Sequence, residues 1–88
     1  MAKFYMMAKY TPEALKGFLS SPSDDRKQAV NKLVDSIGGN VLSFDIVRGP
    51  YDIIISVEVS DFAAVAGAKI AVQSTGMVSD AVILEAVD

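Results

Sequence analysis

Residues 40–59 read NVLSFDIVRGPYDIIISVEV, and this stretch decides the fold. Apolar and polar residues alternate through both of its halves, which is typical of β-strands that turn one face toward a core. The connection between the halves, Arg48-Gly49-Pro50, is short, so the two strands must be neighbours that run in opposite directions. We therefore predict an antiparallel hairpin with strands at residues 40–47 and 51–59.

A strand and two helices precede this hairpin. Residues 3–10 alternate in the same way and predict a first strand. Thr11-Pro12-Glu13 combines a hydroxyl N-cap, a proline at the first helical position and a carboxylate near the positive end of the helix dipole, which predicts a helix of one or two turns. A longer helix is predicted at residues 24–37, capped by Ser23 and ended by Gly38-Gly39.

A helix and a strand follow the hairpin. Ser60-Asp61 caps a helix that reaches residue 74, and this helix is apolar nearly all round, which is typical of a helix buried on more than one side. Residues 77–87 predict a last strand. The order strand, helix, strand, strand, helix, strand predicts an α+β ferredoxin-like sandwich, with a four-stranded antiparallel sheet and both helices on one face. Since 88 residues leave no room for a second core, we expect a single domain over residues 1–88.

The two faces of this sheet differ in what covers them. The face toward the helices is predicted to carry Phe4, Met6, Leu42, Phe44, Ile46, Tyr51, Ile53, Ile55 and Val57. The other face, which we call the open face, is predicted to carry Tyr5, Met7, Lys9, Val41, Ser43, Asp45, Val47, Asp52, Ile54, Ser56 and Glu58. A solvated face would be more uniformly polar, so this mixed face predicts that copies of the chain associate sheet to sheet around a cleft or partial barrel.

The composition removes whole classes of function. Histidine, cysteine and tryptophan are absent, which excludes disulfides, thiol nucleophiles, metal sites built from cysteine or histidine, and imidazole bases. We expect neither a cofactor nor a metal. The net charge of −3 and the scattered basic residues predict no binding to nucleic acid or to an anionic membrane. No apolar run is long enough for a membrane span or a signal-peptide core, which predicts a cytoplasmic protein.

Four polar residues of the open face are the candidate ligand-binding residues. Tyr5 would present its phenol to the cleft or to a dimer contact. Lys9 is predicted beside Asp52, where the two could hold a polar ligand, poise a proton acceptor, or simply form a structural ion pair between strands. Asp45 and Asp52 share the hairpin and could form a carboxylate pair, although two carboxylates supply too few oxygen atoms for a calcium site. No catalytic residue is identified.

Several short motifs follow one another along the whole chain. They are Tyr10-Thr11, Ser21-Pro22 with Arg26, Gly38-Gly39, Gly49-Pro50-Tyr51-Asp52 with Glu58, and Gly76. In order and spacing they resemble the GYD-domain family, which is named for a glycine-x-tyrosine-aspartate element at the corresponding hairpin. The resemblance implies a small bacterial or archaeal protein with a ferredoxin-like fold, related to the dimeric α/β-barrel superfamily, and it implies no reaction.

The chain departs from the family pattern in its first loop. A glycine that usually follows the Tyr-Thr pair is replaced near Glu13-Ala14, and Ser23-Asp24-Asp25 lengthens the spacing from Ser-Pro to arginine.

Three hypotheses about function remain at this point. The first is a non-enzymatic homo-oligomeric module that assembles, or binds a small ligand, through its open face. The second is a cofactor-free enzyme, similar to a monooxygenase or an isomerase, that uses Lys9, Asp52 or Asp45 in a dimer cleft; it rests on analogy of fold, and the missing histidine argues against it. The third is the effector half of a transcription regulator, which would need a partner chain because these residues contain no helix-turn-helix.

Overall fold

A computed structural model describes residues 2–20 and 26–87 of the chain. Its elements are β1 (Ala2–Tyr10), α1 (Pro12–Ser20), α2 (Arg26–Ser36), β2 (Asn40–Ile46), β3 (Ile53–Val59), α3 (Phe62–Ser74) and β4 (Val78–Glu85). The predicted order of the strands is confirmed, and the connection from β1 to β2 contains both of the helices predicted there, α1 and α2. The first helix is longer than predicted, because it continues through Gly17 to Ser20. The predicted cap Ser23 and the predicted first turn of the second helix lie outside the described residues.

The four strands form one sheet in the order β2-β3-β1-β4. All three neighbouring pairs are antiparallel, and β1 pairs with β3 so that Phe4 lies opposite Val57 and Met6 lies opposite Ile55. The first and third strands are thus central neighbours, as the ferredoxin-like prediction requires. The fold class, an α+β ferredoxin-like sandwich, is confirmed.

The core lies between the sheet and the helices. Its buried members include Phe4, Ala8, Val34, Ile53, Ile55, Val57, Val59, Val65 and Ala81. Of these, Phe4, Ile53, Ile55 and Val57 were predicted to face the helices, and Ala8 and Val59 continue the same alternation along β1 and β3. Phe4 and Val59 are the largest fully buried side chains among the described residues, and they anchor the two central strands. Full burial of side chains of this size stabilises a fold by about 1.5–3 kcal/mol each.

A β-bulge in β2 changes the side to which two residues point. The register shifts between Val41 and Ser43, so that Val41 lies opposite Val57 and packs against the core. Leu42, predicted to face the helices, is instead 48% exposed. Both assignments were wrong because a bulge inserts one residue into a strand and breaks the period of two on which they rested. Ile46 keeps its register opposite Ile53, but it is 58% exposed at the end of the edge strand.

Tyr51 also departs from its predicted place. It was expected to point into the core, but it lies before the start of β3 and is half-buried outside the core cluster. The Lys9 ammonium lies 6.0 Å from the centre of its ring. The strand begins two residues later than predicted, so the alternation did not extend to Tyr51.

The helices lie over opposite edges of the sheet. Helix α2 packs mainly against β2, and α3 packs mainly against β4. Within α3 only Val65 and Ala68 are buried, whereas Phe62 and Ile70 are more than half exposed. The prediction that this helix is buried on more than one side is therefore not met within the chain. As a consequence of the helix positions, the covered side of the central strands β3 and β1 lies between the two helices.

Candidate functional site

The side chains of the open face form rows that run across the strands. One central row contains Ser43, Ser56, Tyr5 and Leu84, and the next contains Asp45, Ile54, Met7 and Val82. Lys3 and Glu58 lie opposite each other in the row beyond Tyr5. The last strand was not included in the sequence-based list for this face, and it contributes two of the apolar residues. The face therefore has an apolar patch across β3, β1 and β4, whereas β2 contributes the polar Ser43 and the charged Asp45 to the same two rows.

Tyr5 lies on the open face, where the sequence placed it, and it is half-buried. The Lys3 ammonium lies 5.1 Å from the centre of its ring, a distance at which a cation is attracted to an aromatic face. Its cross-strand neighbour Ser56 is 4% exposed and shares a hydrogen bond of 2.5 Å with the Ser43 hydroxyl. The middle of the face thus combines an aromatic ring with a polar pair whose hydroxyl groups satisfy each other.

Lys9 lies on the open face but has a different partner from the one predicted. Its Nζ is 3.5 Å from Oδ2 of Asp80, and both side chains are well exposed, at 47% and 68%. Asp80 lies in a bulge of β4, where the register with β1 shifts, and it has a positive φ of 51°. The bulge turns Asp80 toward Lys9. An exposed pair of this kind contributes about 0–1 kcal/mol to the free energy of unfolding.

Asp52 and Asp45 are not brought together as a carboxylate pair. Oδ2 of Asp52 accepts a hydrogen bond of 2.9 Å from the backbone N–H of Tyr10, on β1. Asp45 lies on β2, opposite Ile54, and is exposed. Because β3 separates β2 from β1, the carboxylate of Asp52 is engaged on the side of β3 away from Asp45. This arrangement gives no support to a cofactor-free enzyme that uses these carboxylates.

A concave feature of the described chain lies on the other side of the sheet. A cavity of about 400 Å³ sits between the central strands and the helices. Its floor includes Met6, Ile53 and Ile55 of the sheet, and its walls come from α2 and α3. At one end the rings of Tyr10 and Phe18 meet edge to face, with centroids 4.8 Å apart. No charged side chain of the described residues lines the cavity.

The cavity is partly open, because lining residues such as Ala71 and Thr75 are exposed. Covering its apolar walls with an apolar occupant contributes about 25 cal/mol for each Å² of apolar surface removed from water. Water is a poor occupant, because apolar cavities lack the polar partners that a buried water molecule needs.

The cavity was not predicted, although the alanines of α3 carried a signal for it. Ala68 and Ala71 line the cavity from α3 and are too small to reach α2 across it. In the sequence, the many alanines of α3 indicated only burial. An alanine-rich helix face also leaves space when the neighbouring helix lies over the opposite edge of the sheet.

Neither a metal-binding cluster nor a membrane-spanning helix occurs in residues 2–20 and 26–87. Within these ranges no group of three or more histidine, cysteine, aspartate or glutamate side chains could hold a metal ion. In the same part of the chain, no helix is long and apolar enough to cross a membrane.

Several solved structures share this fold. FFRP-DM1 matches with a TM-score of 0.62 at 14% identity, covering 99% of this chain and 100% of that chain. TTHA0845 from Thermus thermophilus matches with a TM-score of 0.63 at 18% identity, covering 100% of this chain and 95% of that chain. An AsnC family transcriptional regulator from Agrobacterium tumefaciens matches with a TM-score of 0.59 at 18% identity, covering 99% of this chain and 50% of that chain. At these identities the likeness concerns the fold alone.

The family assignment rests on the sequence. A search of curated proteins gives no match. The model of the GYD domain family matches residues 4–88, which is nearly the whole length of the chain. The match includes the hairpin that carries Tyr51-Asp52 and confirms the resemblance seen in the short motifs. The chain therefore belongs to the GYD domain family.

Proposed function

We propose that the protein is a non-enzymatic module that assembles as a homo-oligomer through its open face and binds a small ligand in the cleft between the packed faces. The observation that carries this proposal is an apolar patch on a sheet face that no described helix covers. Tyr5, Met7, Ile54, Val82 and Leu84 come together there across three neighbouring strands. A contiguous apolar patch on a small domain is typical of an interaction surface.

A second copy of the chain is the partner that fits this face best. In a two-fold symmetric contact the same patch supplies both sides, so an apolar centre meets an apolar centre. The ends of the face carry both signs of charge, with Lys3 beside Glu58 at one end and Lys9 beside Asp80 at the other. Opposite charges can therefore meet at the rim whichever way the two sheets are turned, and the rim stays hydrated while the centre is buried.

The ligand-binding residues of this proposal are those at the rim and centre of the face. Tyr5 would line the cleft, while Lys9 and Asp45 would offer charges of opposite sign at its edge. Asp52 would act indirectly, since its carboxylate holds the backbone of β1 next to Lys9. Such a cleft suits a small polar ligand that carries both a cationic and an anionic group.

The assembly is tested by measuring molar mass in solution with size-exclusion chromatography and light scattering. We expect a dimer or larger oligomer for the unchanged chain at micromolar concentration, and a monomer for Met7→Glu, because the new charge would be buried at the centre of the contact. Leu19→Glu is the matched control: Leu19 is 84% exposed on α1, away from the sheet face, and this variant should keep the oligomer. A monomeric unchanged chain, or an oligomer that survives Met7→Glu, contradicts the proposal.

Ligand binding is tested with a panel of small zwitterions, the amino acids, by following the thermal unfolding midpoint. A ligand that binds the folded state raises this midpoint. We expect at least one amino acid to raise the midpoint of the unchanged chain and to lose most of this effect in Lys9→Met and in Asp45→Asn. No rise with any amino acid, or a rise that persists in both variants, contradicts the assignment of these residues.

A further inference from the structure

We propose that the cavity between the sheet and the helices is a binding site for a neutral, largely apolar small molecule. This site is separate from the open face, because the sheet lies between them. Adjacent residues of β3 show the separation: Ile53 and Ile55 line the cavity, whereas Ile54 lies on the open face opposite Met7.

The space exists because of where the helices lie. Since α2 packs mainly against β2 and α3 mainly against β4, the helices cover the central strands only in part, where α1 touches β1 and α3 touches β3. The residues that α3 turns toward the gap, such as Ala68 and Ala71, are too short to fill it. Of the branched residues of α2 that line it, Val34 is buried, whereas Val30 and Leu33 are only partly buried. The chain thus leaves an apolar space that its own described side chains do not fill.

The lining defines the chemistry of the occupant. Charged residues make up 22% of the chain, yet none of those that the structure describes lines the cavity. An ionised ligand would lose its hydration there without gaining a partner, so the occupant must be neutral. The polar side chains of the lining are Tyr10 and Thr75. Tyr10 pairs with Val78 at the start of β4, and Thr75 follows α3 three residues earlier, where its hydroxyl donates to the carbonyl of Val72 and accepts from the N–H of Met77. A ligand with one hydroxyl or carbonyl group would place that group beside these two side chains.

The volume sets the size of the ligand. An engineered apolar cavity of about 150 Å³ binds benzene, and ligand pockets are commonly about 300–1,000 Å³. A cavity of about 400 Å³ is large enough for a compact hydrocarbon skeleton of two or three rings. We therefore expect an aromatic or alicyclic molecule rather than a single ring or a charged metabolite.

The first experiment measures binding of N-phenylnaphthylamine, a neutral fluorophore in which an amine nitrogen joins a phenyl ring to a naphthalene ring system. Its three aromatic rings match the size expected for the occupant of the cavity. We expect saturable binding to the unchanged chain, and binding at least tenfold weaker to Ala68→Phe, in which a ring occupies the cavity. Ala63→Phe is the matched control, since Ala63 is an exposed residue of the same helix that does not line the cavity. Ala71→Leu adds volume at an exposed position of the lining, so it tests the same point if Ala68→Phe fails to fold.

The second experiment locates the probe with NMR of chains labelled at the isoleucine methyl groups. Bound N-phenylnaphthylamine should shift the methyl signals of Ile37, Ile53 and Ile55, which line the cavity, and leave that of Ile54 unchanged. Shifts centred on Ile54 would place the probe on the open face and overturn the proposal, as would the absence of binding or equal binding to Ala68→Phe and Ala63→Phe. Because Ile54 reports on the open face, failure of this site is distinguishable from failure of the proposed assembly.

Discussion

Asp52 holds three segments of the chain together at the end of the sheet. Its backbone N–H donates to the carbonyl of Ala8 at 3.0 Å, and its own carbonyl accepts from the N–H of Val47 at 2.9 Å. Its carboxylate accepts from the N–H of Tyr10 at 2.9 Å. The hairpin connection is thus fastened to β1 by the side chain as well as by the backbone. The sequence placed Asp52 beside Lys9 but offered no sign that its carboxylate binds a backbone amide.

Replacing Asp52 should therefore cost stability. We expect Asp52→Ala to lower the free energy of unfolding by about 1.5–3 kcal/mol, because the amide of Tyr10 loses a charged acceptor in a partly buried place. Asp52→Asn keeps an acceptor oxygen and should lose less. The measurement is urea unfolding followed by circular dichroism. Asp45→Ala is the matched control: because Asp45 is exposed, this variant should change stability by no more than about 0.5 kcal/mol, and an equal loss in both alanine variants would contradict the role of Asp52.

Gly39 is required by a close approach of two backbones. A Cβ atom at this position would lie 2.6 Å from the carbonyl oxygen of Glu58 and 2.6 Å from Cγ1 of Val59, whereas a Cβ at Gly67 of α3 would meet nothing within 4 Å. We expect Gly39→Ala to destabilise by about 1–3 kcal/mol through overpacking. Gly67→Ala should stabilise by up to about 1 kcal/mol, because alanine favours a helix over glycine. The midpoints of thermal unfolding should move in opposite directions, and a shared direction would contradict the packing explanation.

At the scale of the elements, hydrophobic alternation predicted the four strands and their pairing, because a strand with one buried face must repeat every two residues. It did not predict the bulges at Leu42 and Asp80, where an inserted residue breaks that repeat. The two bulges change two assignments. Val41 packs against the core, and Asp80 forms the ion pair with Lys9 that was predicted for Asp52. A bulge leaves no distinct pattern in a single sequence, so this part could not be predicted.

The N-caps of α1 and α3, by contrast, were predicted from the sequence. Oγ1 of Thr11 accepts from the N–H of Ala14 at 3.1 Å, and Oδ1 of Asp61 accepts from the N–H of Ala64 at 3.0 Å. The hydroxyl of Thr11 also donates to the carbonyl of Gly76 at 2.8 Å. One residue therefore begins α1 and ties it to the segment that leads into β4.

This double role predicts unequal effects of removing the two caps. We expect Thr11→Ala to lower the free energy of unfolding by about 1–2 kcal/mol, and Asp61→Ala by about 1 kcal/mol or less, since the latter loses one exposed hydrogen bond. Thr11→Ser keeps both hydrogen bonds and should restore most of the loss. Chemical denaturation of the three variants measures these differences, and a larger loss for Asp61→Ala would contradict the link through Gly76.

At the scale of the whole molecule, the sheet separates two surfaces with different chemistry. The open face followed from the sequence, because the alternation of β1, β2 and β3 showed that its apolar residues lacked a cover. The cavity did not, because it depends on the lateral positions of α2 and α3 over the edges of the sheet, and the apolar pattern of a helix indicates which side faces the sheet but not above which strand it lies. The high apolar content of the chain, 51%, thus supplies the apolar residues of both the open face and the cavity.

This separation predicts that the two surfaces act independently. Substitutions on opposite sides of the sheet share no partners, and such changes usually add without coupling. We expect Met7→Glu to abolish the oligomer while its affinity for N-phenylnaphthylamine stays within about twofold of the unchanged chain, since a twofold change is only about 0.4 kcal/mol. Conversely, Ala68→Phe should weaken probe binding and keep the oligomer. Light scattering and fluorescence titration of the two single variants and the double variant measure both properties. If the probe dissociated from the Met7→Glu monomer, the independence of the two surfaces would be contradicted. The cavity would then depend on assembly, and contacts at the open face would have to alter its lining through β1 and β3, the central strands that both surfaces share.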